Sequence, residues 1–254
     1  MSRPLRHSLP VLGLTVVAIL IAAMLLRLLE APLPPPISPL PEDPIELRKA
    51  NLINHLLSAI QNNNRSLLKQ RKRAVRILAN ISNAKKPSHF DLKWLAKMGK
   101  RYRLPEQDPD EAWMHLLLRR LDIIPADLAL AQAAMESAWG ESRFANEGNN
   151  FFGEWCFKEG CGIVPAARPA GATYEVATFE SVEDSVRGYM LNLNRHPRYT
   201  QLRIIRESAR QAGQDITGEA LAKGLHGYSA IGDTYIRTIR ALIRANDFDR
   251  FPSR

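Results

Sequence analysis

The feature that most constrains the fold is an uncharged run of 18 residues near the start of the chain, residues 9–26. Arg3 and Arg6 precede this run and Arg27 closes it. In a helix the run nearly matches the ~20 residues that cross a hydrocarbon core. A cleaved signal peptide has a shorter apolar region that ends in a small-x-small site. The sequence therefore predicts an uncleaved membrane anchor within residues 1–29, with a cytoplasmic N-terminus and an exported remainder.

A proline-rich stretch follows the predicted anchor. Residues 30–44 carry seven of the 17 prolines in the chain. Proline lacks the amide donor of a helix and favours the extended polyproline II conformation. We interpret residues 30–45 as a stalk that holds a folded domain up to about 45 Å from the membrane. The alternative is a proline-rich ligand for an SH3-like partner.

Residues 46–86 are predicted to form a basic helical segment. Apolar residues recur there with helical spacing. Three asparagines, Asn62 to Asn64, suggest a turn between two apolar stripes. The stripes comprise Leu52, Ile53, Leu56, Leu57 and Ile60, and then Leu67, Leu68, Val75, Ile77 and Leu78.

Positive charge is concentrated in this part of the sequence. The whole chain carries a net charge of +9, whereas residues 46–103 carry +13 and residues 104–254 carry −4. No aromatic residue occurs between Glu46 and Phe90. Because nothing in that segment could stack on bases, we expect no nucleic-acid partner. A solvated helix face, or attraction to an anionic wall or lipid surface, remains open.

The alanine-rich stretch at residues 125–140 predicts a central, buried helix. Pro125 and Asp127 suit the first helical turn, and Gly140 suits a C-terminal cap. Small side chains allow neighbouring elements to approach closely, here at Ala129, Ala131, Ala133, Ala134 and Ala138.

The last turn of that predicted helix carries Glu136, with Gln132 one turn earlier on the same face and Trp139 beyond it. A carboxylate at the negative end of a helix, among apolar neighbours, should have a raised pKa. A general acid needs this property at neutral pH. The alternative is an exposed glutamate at a frayed helix end.

A loop rich in turn residues and aromatic residues follows at residues 148–162. Asn149, Asn150 and Gly153 favour a turn. Aromatic faces suit the apolar faces of sugar rings, although the same side chains could fill a small core. The four aromatic residues are Phe151, Phe152, Trp155 and Phe157.

The two cysteines, Cys156 and Cys161, lie five residues apart without a histidine between them. This spacing argues against a metal site, and in an oxidising compartment it is compatible with a local disulfide.

The run AQAAMESAWGESRFANEGNNFFGEW at residues 131–155 resembles a specific family pattern. It is similar to the A-Q-A-x-x-E-S-x-W-G-x-S and N-N-x-F-G motifs of the glucosaminidase family of peptidoglycan hydrolases, glycoside hydrolase family 73. The similarity is greatest to its Bax-type, membrane-anchored bacterial members. Residues 176–199 and 227–243 resemble two further family segments, so the resemblance extends over about residues 87–251 and leaves residues 1–86 uncovered.

The resemblance implies that residues 87–254 form a catalytic domain with a lysozyme-like α+β fold, mainly helical with a small β lobe. It implies hydrolysis of the β-1,4 bond after N-acetylglucosamine in peptidoglycan glycan strands, without a cofactor or metal. Glu136 matches the general acid of the family, and Tyr228 matches its active-site tyrosine. The expected substrate-binding residues are Gln132, Trp139, Asn150, Phe152 and Trp155.

The second carboxylate is harder to place, because GIVPAARPAGATYEV departs from the T-T-E-Y-like strand of the family. Glu175 is the first candidate, followed by Glu159 and Glu154 and then by Glu180. Two carboxyl groups normally flank the scissile bond. A water activated by Glu175, or assistance by the acetamido group of the substrate, would both leave Glu136 as the acid.

These expectations describe a monomeric hydrolase that is anchored in the bacterial inner membrane and acts on peptidoglycan in the periplasm. Within enzymes, the alternative is a muramidase or lytic transglycosylase on a lysozyme-like fold. From another class, the alternative is a wall-binding or scaffold protein without catalytic activity.

Overall fold

The computed structural model describes residues 36–229 and 231–253. The predicted anchor at residues 1–29 lies outside the described residues, as does the stalk up to residue 35. Among the described helices, none combines the length and the apolar character needed to cross a membrane.

Helices dominate the described chain. In order they are α1 (Pro44–Ser82), α2 (His89–Tyr102), α3 (Glu111–Arg120), α4 (Ala126–Glu136), α5 (Arg143–Gly148), α6 (Val182–Arg195), α7 (Thr200–Gln211), α8 (Gly218–Ala222) and α9 (Asp233–Ala245). Short 3-10 helices lie at Pro197–Tyr199 and Phe248–Arg250.

Helix α1 begins at a strong capping site and runs for 39 residues. The Asp43 side chain accepts hydrogen bonds from the backbone N–H groups of Ile45 (2.8 Å) and Glu46 (3.0 Å). These bonds satisfy two amides that have no partner within the helix. Pro44 needs no such partner and has a backbone suited to the first turn.

The turn expected at Asn62 to Asn64 is wrong, because α1 continues through all three residues. Asn64 is fully buried. Its Nδ2 donates to the carbonyls of Ile124 (2.8 Å) and Ser253 (2.7 Å), and its Oδ1 accepts from the N–H of Ile124 (3.1 Å). These tertiary hydrogen bonds outweigh the weak helix propensity of asparagine.

Helix α4 lies at the centre of the fold, as its alanine content predicts. All residues from Ala126 to Ala134 are buried. The helix contacts α1, α8, α9 and the 3-10 helix at Phe248–Arg250. Small side chains allow these elements to pack closely around one axis.

The basic segment at residues 46–86 shares this core. The apolar face of α1 packs against α3, α4 and α6. Its buried side chains include Leu52, Leu56 and Ile60. The described residues on both sides of residue 86 therefore form one compact unit with one contiguous core.

A small antiparallel sheet contains β1 (Trp155–Cys156), β2 (Gly162–Ile163) and β3 (Glu175–Ala177) in the order β1-β3-β2. Val176 of β3 lies opposite Trp155 on one side and Ile163 on the other. A disulfide joins Cys156 to Cys161, the local pairing with which their spacing is compatible. Together with the helices, this sheet confirms the predicted α+β class, mainly helical with a small β lobe.

A buried ionic cluster connects the α3–α4 segment to α1 and α7. The Asp122 carboxylate, in a residue that is 2% exposed, accepts hydrogen bonds from Nε (2.5 Å) and Nη2 (2.6 Å) of Arg210. Arg71 of α1 lies 3.2 Å from the same carboxylate. Burial raises the pKa of Asp122, but the Arg210 hydrogen bond and the charges of Arg206 and Arg71 together hold this pKa below its usual value.

We expect Asp122→Asn to lower the free energy of unfolding by about 3 kcal/mol at pH 7, because two arginines lose their counter-charge. The pKa of Asp122 is lower in the folded chain than in the unfolded chain, where it is about 3.9. The stabilisation is therefore present above that value and is lost as the pH falls through the folded pKa. Urea denaturation at neutral and acid pH should show a difference between wild type and variant that shrinks towards acid pH.

The matched control is Asp108→Asn, at an exposed loop position. It should leave the denaturation midpoint close to that of the wild type. An equal loss of stability in both variants would contradict the assignment of Asp122 as the centre of the cluster.

Candidate active site

Glu136 is the last residue of α4 and is half-buried. The helix ends there because Ser137 competes for its backbone groups. The Ser137 hydroxyl donates to the carbonyl of Ala133 (2.6 Å) and accepts from the N–H of Gly140 (2.8 Å). The helix thus ends at Glu136, four residues before Gly140, the residue that the sequence suggested as the cap. No further helical turn follows the Glu136 carboxyl.

Three consecutive residues after the helix have left-handed backbones. The φ angles are 52° at Ala138, 60° at Trp139 and 86° at Gly140. This conformation costs a non-glycine residue about 1–2 kcal/mol. Such strain persists where the surrounding structure enforces it, and it is concentrated at functional sites. The turn reverses the chain before α5 and brings the Trp139 ring against Phe248, 6.2 Å between ring centroids.

The two oxygens of the Glu136 carboxyl have different surroundings. Oε1 accepts a hydrogen bond from the Tyr235 hydroxyl (2.9 Å). Oε2 lies beside Gly153: a Cβ atom added to this glycine would be only 3.3 Å from Oε2. Burial raises the pKa of Glu136, and the Tyr235 hydrogen bond offsets part of that rise. The net pKa is raised, as expected from the helix argument.

A chain of buried hydrogen bonds leads to this carboxyl. The Tyr189 hydroxyl donates to Oε1 of Gln132 (2.7 Å), and Nε2 of Gln132 donates to the Tyr235 hydroxyl (2.9 Å). Gln132 has no exposed surface. It therefore orients Tyr235 towards Glu136 from behind and presents no group to a ligand in this conformation.

Tyr228 and Phe152 complete an aromatic layer beneath the site. The Tyr228 ring stacks on Tyr235, with centroids 5.3 Å apart, and its hydroxyl donates to the Phe152 carbonyl (2.9 Å). Phe152 is 1% exposed and stacks on Tyr189 at 3.9 Å. Of these two candidates from the sequence, Phe152 lies in the core and Tyr228 has its hydroxyl occupied by a backbone carbonyl.

Asn150 organises the loop that carries Glu154. Its Oδ1 accepts from the N–H of Glu154 (3.0 Å), and its Nδ2 donates to the carbonyls of Glu154 (2.8 Å) and Ala177 (2.8 Å). Asn150 is 2% exposed. Like Gln132, it supports the site and has no free surface for a substrate.

Trp155 differs from the other aromatic candidates, because it is 51% exposed. Its ring meets Tyr174 edge to face, with centroids 4.9 Å apart. Trp139 is half-buried between Phe248 and the Lys49 ammonium group, which lies 5.6 Å from its ring. Among the aromatic residues predicted to bind substrate, Trp155 offers the largest accessible surface.

The Glu175 carboxylate lies within the β lobe, in a residue that is 4% exposed. Oε1 accepts from the N–H of Gly160 (3.1 Å) and Oε2 accepts from the N–H of Gly162 (2.8 Å). These backbone hydrogen bonds lower the pKa of Glu175. Both oxygens therefore hold the backbone of residues 160–162 against β3. Glu175, the first candidate for the second carboxylate, thus has a structural role in this geometry. Glu159 and Glu180 are exposed.

Glu154 has a different environment. Burial raises its pKa to about 7, although the charge of Arg195 acts in the opposite direction. The Glu154 side chain lies against Gly188 of α6. A Cβ atom added to Gly188 would be only 2.7 Å from Oε2 of Glu154. The charges of Glu136 and Glu154 both raise the pKa values of Tyr189 and Tyr199. Glu154 and Glu136 therefore border the same tyrosine cluster.

A metal ion has little to bind among the described residues. One group of His, Cys, Asp or Glu side chains there is close enough to share an ion, namely Cys156, Cys161 and Glu175. Its two sulfur atoms are bonded to each other. They are therefore not available as thiolate ligands.

Sequence reasoning did not identify Tyr235 or Tyr189 as hydrogen-bonding partners around Glu136, and it ranked Glu154 below Glu175. Tyr189 lies on the buried face of α6 together with Val186 and Leu193, a spacing that is typical of core residues. A buried tyrosine hydroxyl needs a partner, and this need was the available signal for both tyrosines. Glu154 stands beside Gly153 in the loop, but its burial depends on α6.

Comparisons with known proteins match the part of the chain that carries this geometry. A family model for glucosaminidase, described as mannosyl-glycoprotein endo-β-N-acetylglucosaminidase, matches residues 113–248. Protein bax of Escherichia coli (strain K12) is 39% identical over 130 residues, which cover 51% of this chain and 46% of that protein. The chain thus spans about half the length of this curated relative. No solved structure matches.

We expect Tyr235→Phe to raise the pKa of Glu136 further, because the lost hydroxyl stabilises the ionised carboxylate. The variant should also lose about 1–3 kcal/mol of stability, since the buried Gln132 amide loses its acceptor. A ¹³C NMR titration of the glutamate carboxyl carbons, with the Glu136 signal assigned through Glu136→Gln, measures the shift.

Tyr228→Phe is the control for this titration. It removes a neighbouring hydroxyl that bonds the Phe152 carbonyl and leaves the Tyr235 hydrogen bond intact. An unchanged or lower pKa of Glu136 in Tyr235→Phe would contradict the described hydrogen bond.

Proposed function

Because the chain belongs to the glucosaminidase family, we propose that it hydrolyses the β-1,4 bond after N-acetylglucosamine in the glycan strands of peptidoglycan. The observation that carries this proposal is the Glu136 carboxyl, which ends a buried helix and has a raised pKa. Burial favours the protonated form of this carboxyl, and a protonated carboxyl can donate its proton to the departing glycosidic oxygen. The proposal uses no cofactor.

The two oxygens of the Glu136 carboxyl have different neighbours, which supports different roles for them. The Tyr235 hydroxyl occupies Oε1, and Gln132 in turn holds that hydroxyl. Oε2 faces the backbone of Gly153. We therefore assign the transferred proton to Oε2, with Tyr235 acting as a positioning residue through Oε1.

We propose Glu154, in place of Glu175, as the second carboxyl of the site. A group with a pKa of about 7 exchanges its proton close to neutral pH, which suits a base that activates water. Both oxygens of Glu175 already accept backbone hydrogen bonds. Ionised Glu154 would take a proton from the attacking water while Glu136 protonates the leaving oxygen. Assistance by the acetamido group of the substrate is the competing mechanism.

The substrate surface in this proposal is formed mainly by Trp155. An exposed indole ring provides an apolar face for a sugar ring, and Tyr174 supports it from the edge. Gln132, Asn150 and Phe152 act from behind that surface, because each is buried and bonded or stacked inside the fold. Replacing one of these three residues would shift the catalytic groups and would remove little direct contact with the substrate.

The cellular setting is also a proposal. The uncharged run at residues 9–26 supports a single-pass anchor in the bacterial inner membrane, with the folded part in the periplasm. The disulfide between Cys156 and Cys161 supports an oxidising compartment such as the periplasm. We propose that the chain acts there as a monomer on glycan strands.

We expect Glu136→Gln to lower kcat at least about 100-fold, because the amide cannot donate a proton to the leaving group. Purified peptidoglycan is digested with the full chain, and the products are analysed by mass spectrometry. Fragments with reducing-end N-acetylglucosamine support the proposal, whereas anhydro-muramyl ends would indicate a lytic transglycosylase and reducing-end muramic acid a muramidase. An absence of products from the wild type would favour wall binding.

Glu147→Gln is the matched control, since Glu147 is an exposed glutamate on the nearby helix α5. It should retain wild-type kcat. Circular dichroism of all three proteins confirms that loss of activity does not reflect unfolding. Near-wild-type turnover in folded Glu136→Gln would refute the assignment of the acid.

We expect Glu154→Gln to lower kcat and to abolish an acidic limb of the pH profile of kcat/KM near pH 7, where activity rises as Glu154 ionises. Glu175→Gln should retain that limb and lose thermal stability, because its amide nitrogen cannot accept a backbone hydrogen bond. Initial rates from pH 5 to 9 on soluble glycan fragments provide the comparison. Persistence of the limb in Glu154→Gln, with its loss in Glu175→Gln, would reverse the two assignments.

A further inference from the structure

Three arginines lie where α2 and α6 end. Arg103 follows the last residue of α2, Arg195 is the last residue of α6, and Arg198 lies in the 3-10 helix that comes next. Arg103 and Arg198 are exposed, and Arg195 is half-buried. Nη1 of Arg195 donates to the carbonyl of Arg101 (3.4 Å), which joins the two helix ends. We name Arg103, Arg195 and Arg198 the arginine rim.

Arg195 lies on the face of α6 that Glu154 contacts. Gly188, against which the Glu154 carboxyl lies, is seven residues before Arg195. Residues seven apart in a helix share a face, two turns from each other. Helical side chains are also tilted towards the N-terminus of their helix, so the Arg195 side chain leans back towards Glu154. Burial lowers the pKa of Arg195, and the charge of Glu154 acts in the opposite direction.

Arg198 is linked to the aromatic layer beneath Glu136 through Gly227. A Cβ atom added to Gly227 would be 3.1 Å from Cβ of Arg198 and 3.4 Å from its Cγ and Cδ, so the arginine stem lies along this glycine. Tyr228, the next residue, stacks on Tyr235, and the Tyr235 hydroxyl bonds Glu136. The arginine rim therefore borders the neighbourhood of both carboxyl groups of the proposed site.

The buried Arg203 side chain fixes the turn that carries Arg198. Its Nη1 donates to the carbonyls of Leu193 (2.8 Å) and His196 (2.9 Å), and its Nη2 donates to Oγ1 of Thr200 (3.0 Å). Arg203 is only 2% exposed. The backbone that carries the rim is thus held in place before any ligand binds.

The charges of the arginine rim are not neutralised by the protein. None of its three members takes part in the ion pairs that the described residues form. Burial lowers the pKa of His196, and the charges of all three rim arginines lower it further. A group of like charges without counter-charges attracts an anion.

We propose that the arginine rim binds carboxylates of the glycan strand while the sugar rings occupy the site at Glu136 and Glu154. This inference rests on the proposed hydrolysis of peptidoglycan. A planar guanidinium group presents a fork of donors that matches a carboxylate. The sugar rings and acetamido groups of the strand are neutral. Its carboxylates belong to the lactyl ether of muramic acid or to the peptide attached there.

The position of the rim favours a carboxylate of the substrate over other anions. A lipid surface or an unrelated polyanion could bind exposed arginines anywhere on the protein, without reference to Glu154. The rim instead borders the carboxyl group that is proposed to activate water. Ionised Glu154 would repel the carboxylates of an approaching strand, and neighbouring arginines offset that repulsion.

The test compares three soluble glycan strands of equal length. The first bears peptides, the second has lost them and exposes lactyl carboxylates, and the third is the second strand with those carboxylates converted to neutral methylamides. Binding to the full chain with Glu136→Gln is measured by isothermal titration calorimetry in a non-ionic detergent, so that the strands stay intact. At low ionic strength we expect a Kd about tenfold lower for at least one anionic strand than for the neutral strand.

Arg103→Gln with Arg198→Gln, made in the same Glu136→Gln chain, removes two charges from the rim. It keeps Arg195, which bonds the Arg101 carbonyl. The anionic and neutral strands should then bind with nearly equal Kd, since each lost ion pair contributes about threefold. The Kd for the neutral strand should match that of the parent chain, which also reports that the fold is intact.

Lys69→Gln with Lys72→Gln is the matched control, because it removes the same net charge at exposed positions on α1. It should retain the preference for anionic strands. A preference for both anionic strands would assign the lactyl carboxylate as the ligand of the rim. A preference for the peptide-bearing strand alone would assign the carboxylates of the peptide.

Other outcomes would overturn the proposal. These are equal affinity of the parent chain for anionic and neutral strands, a preference that survives in Arg103→Gln with Arg198→Gln, and equal weakening of that variant towards all three strands. Cleavage by the wild type is analysed separately. Cleavage without a carboxylate preference would overturn this inference alone, whereas a preference without cleavage would refute the proposed hydrolysis.

Discussion

Gln132 is an amide with no exposed surface in the middle of a helix built largely from alanine and leucine. A buried amide without partners would cost several kcal/mol, so the fold must supply both a donor and an acceptor. Tyr189 of α6 supplies the donor and Tyr235 of α9 supplies the acceptor. The requirement of one side chain thereby fixes two helices around α4, and through Tyr235 it fixes the Glu136 carboxyl.

The regular elements were predictable where local pattern and tertiary packing agree. The burial of α4 follows from its alanines, because small side chains in an uncharged run have no reason to face water. The asparagines at residues 62–64 show the opposite case. Their turn propensity is local, whereas the partners of Asn64, Ile124 and Ser253, are 60 and 189 residues away in sequence. No local pattern reports contacts at that separation.

The residues of the candidate site also differ in how far local sequence predicts their surroundings. Glu136 could be predicted as a candidate acid from its position at the end of an apolar helix, and burial, the cause of its raised pKa, agrees with that prediction. Glu175 has a suitable position in a strand, but its carboxylate accepts backbone amides from across the hairpin. Glu154 acquires its environment from α6, at Gly188. The environments of both glutamates depend on tertiary contacts that their immediate sequence neighbours do not report.

The helix that carries Glu136 is completed from outside the part of the chain that resembles the family. Helix α1 ends before residue 113, yet its apolar face packs directly on α4 and its Asn64 bonds the segment that leads into α4. Removing α1 would expose the alanine face and leave the backbone groups of Ile124 unpaired. Helix α1 is therefore part of the scaffold of the candidate site. One face of this helix belongs to the core around Glu136, while its other face presents positive charge to solvent.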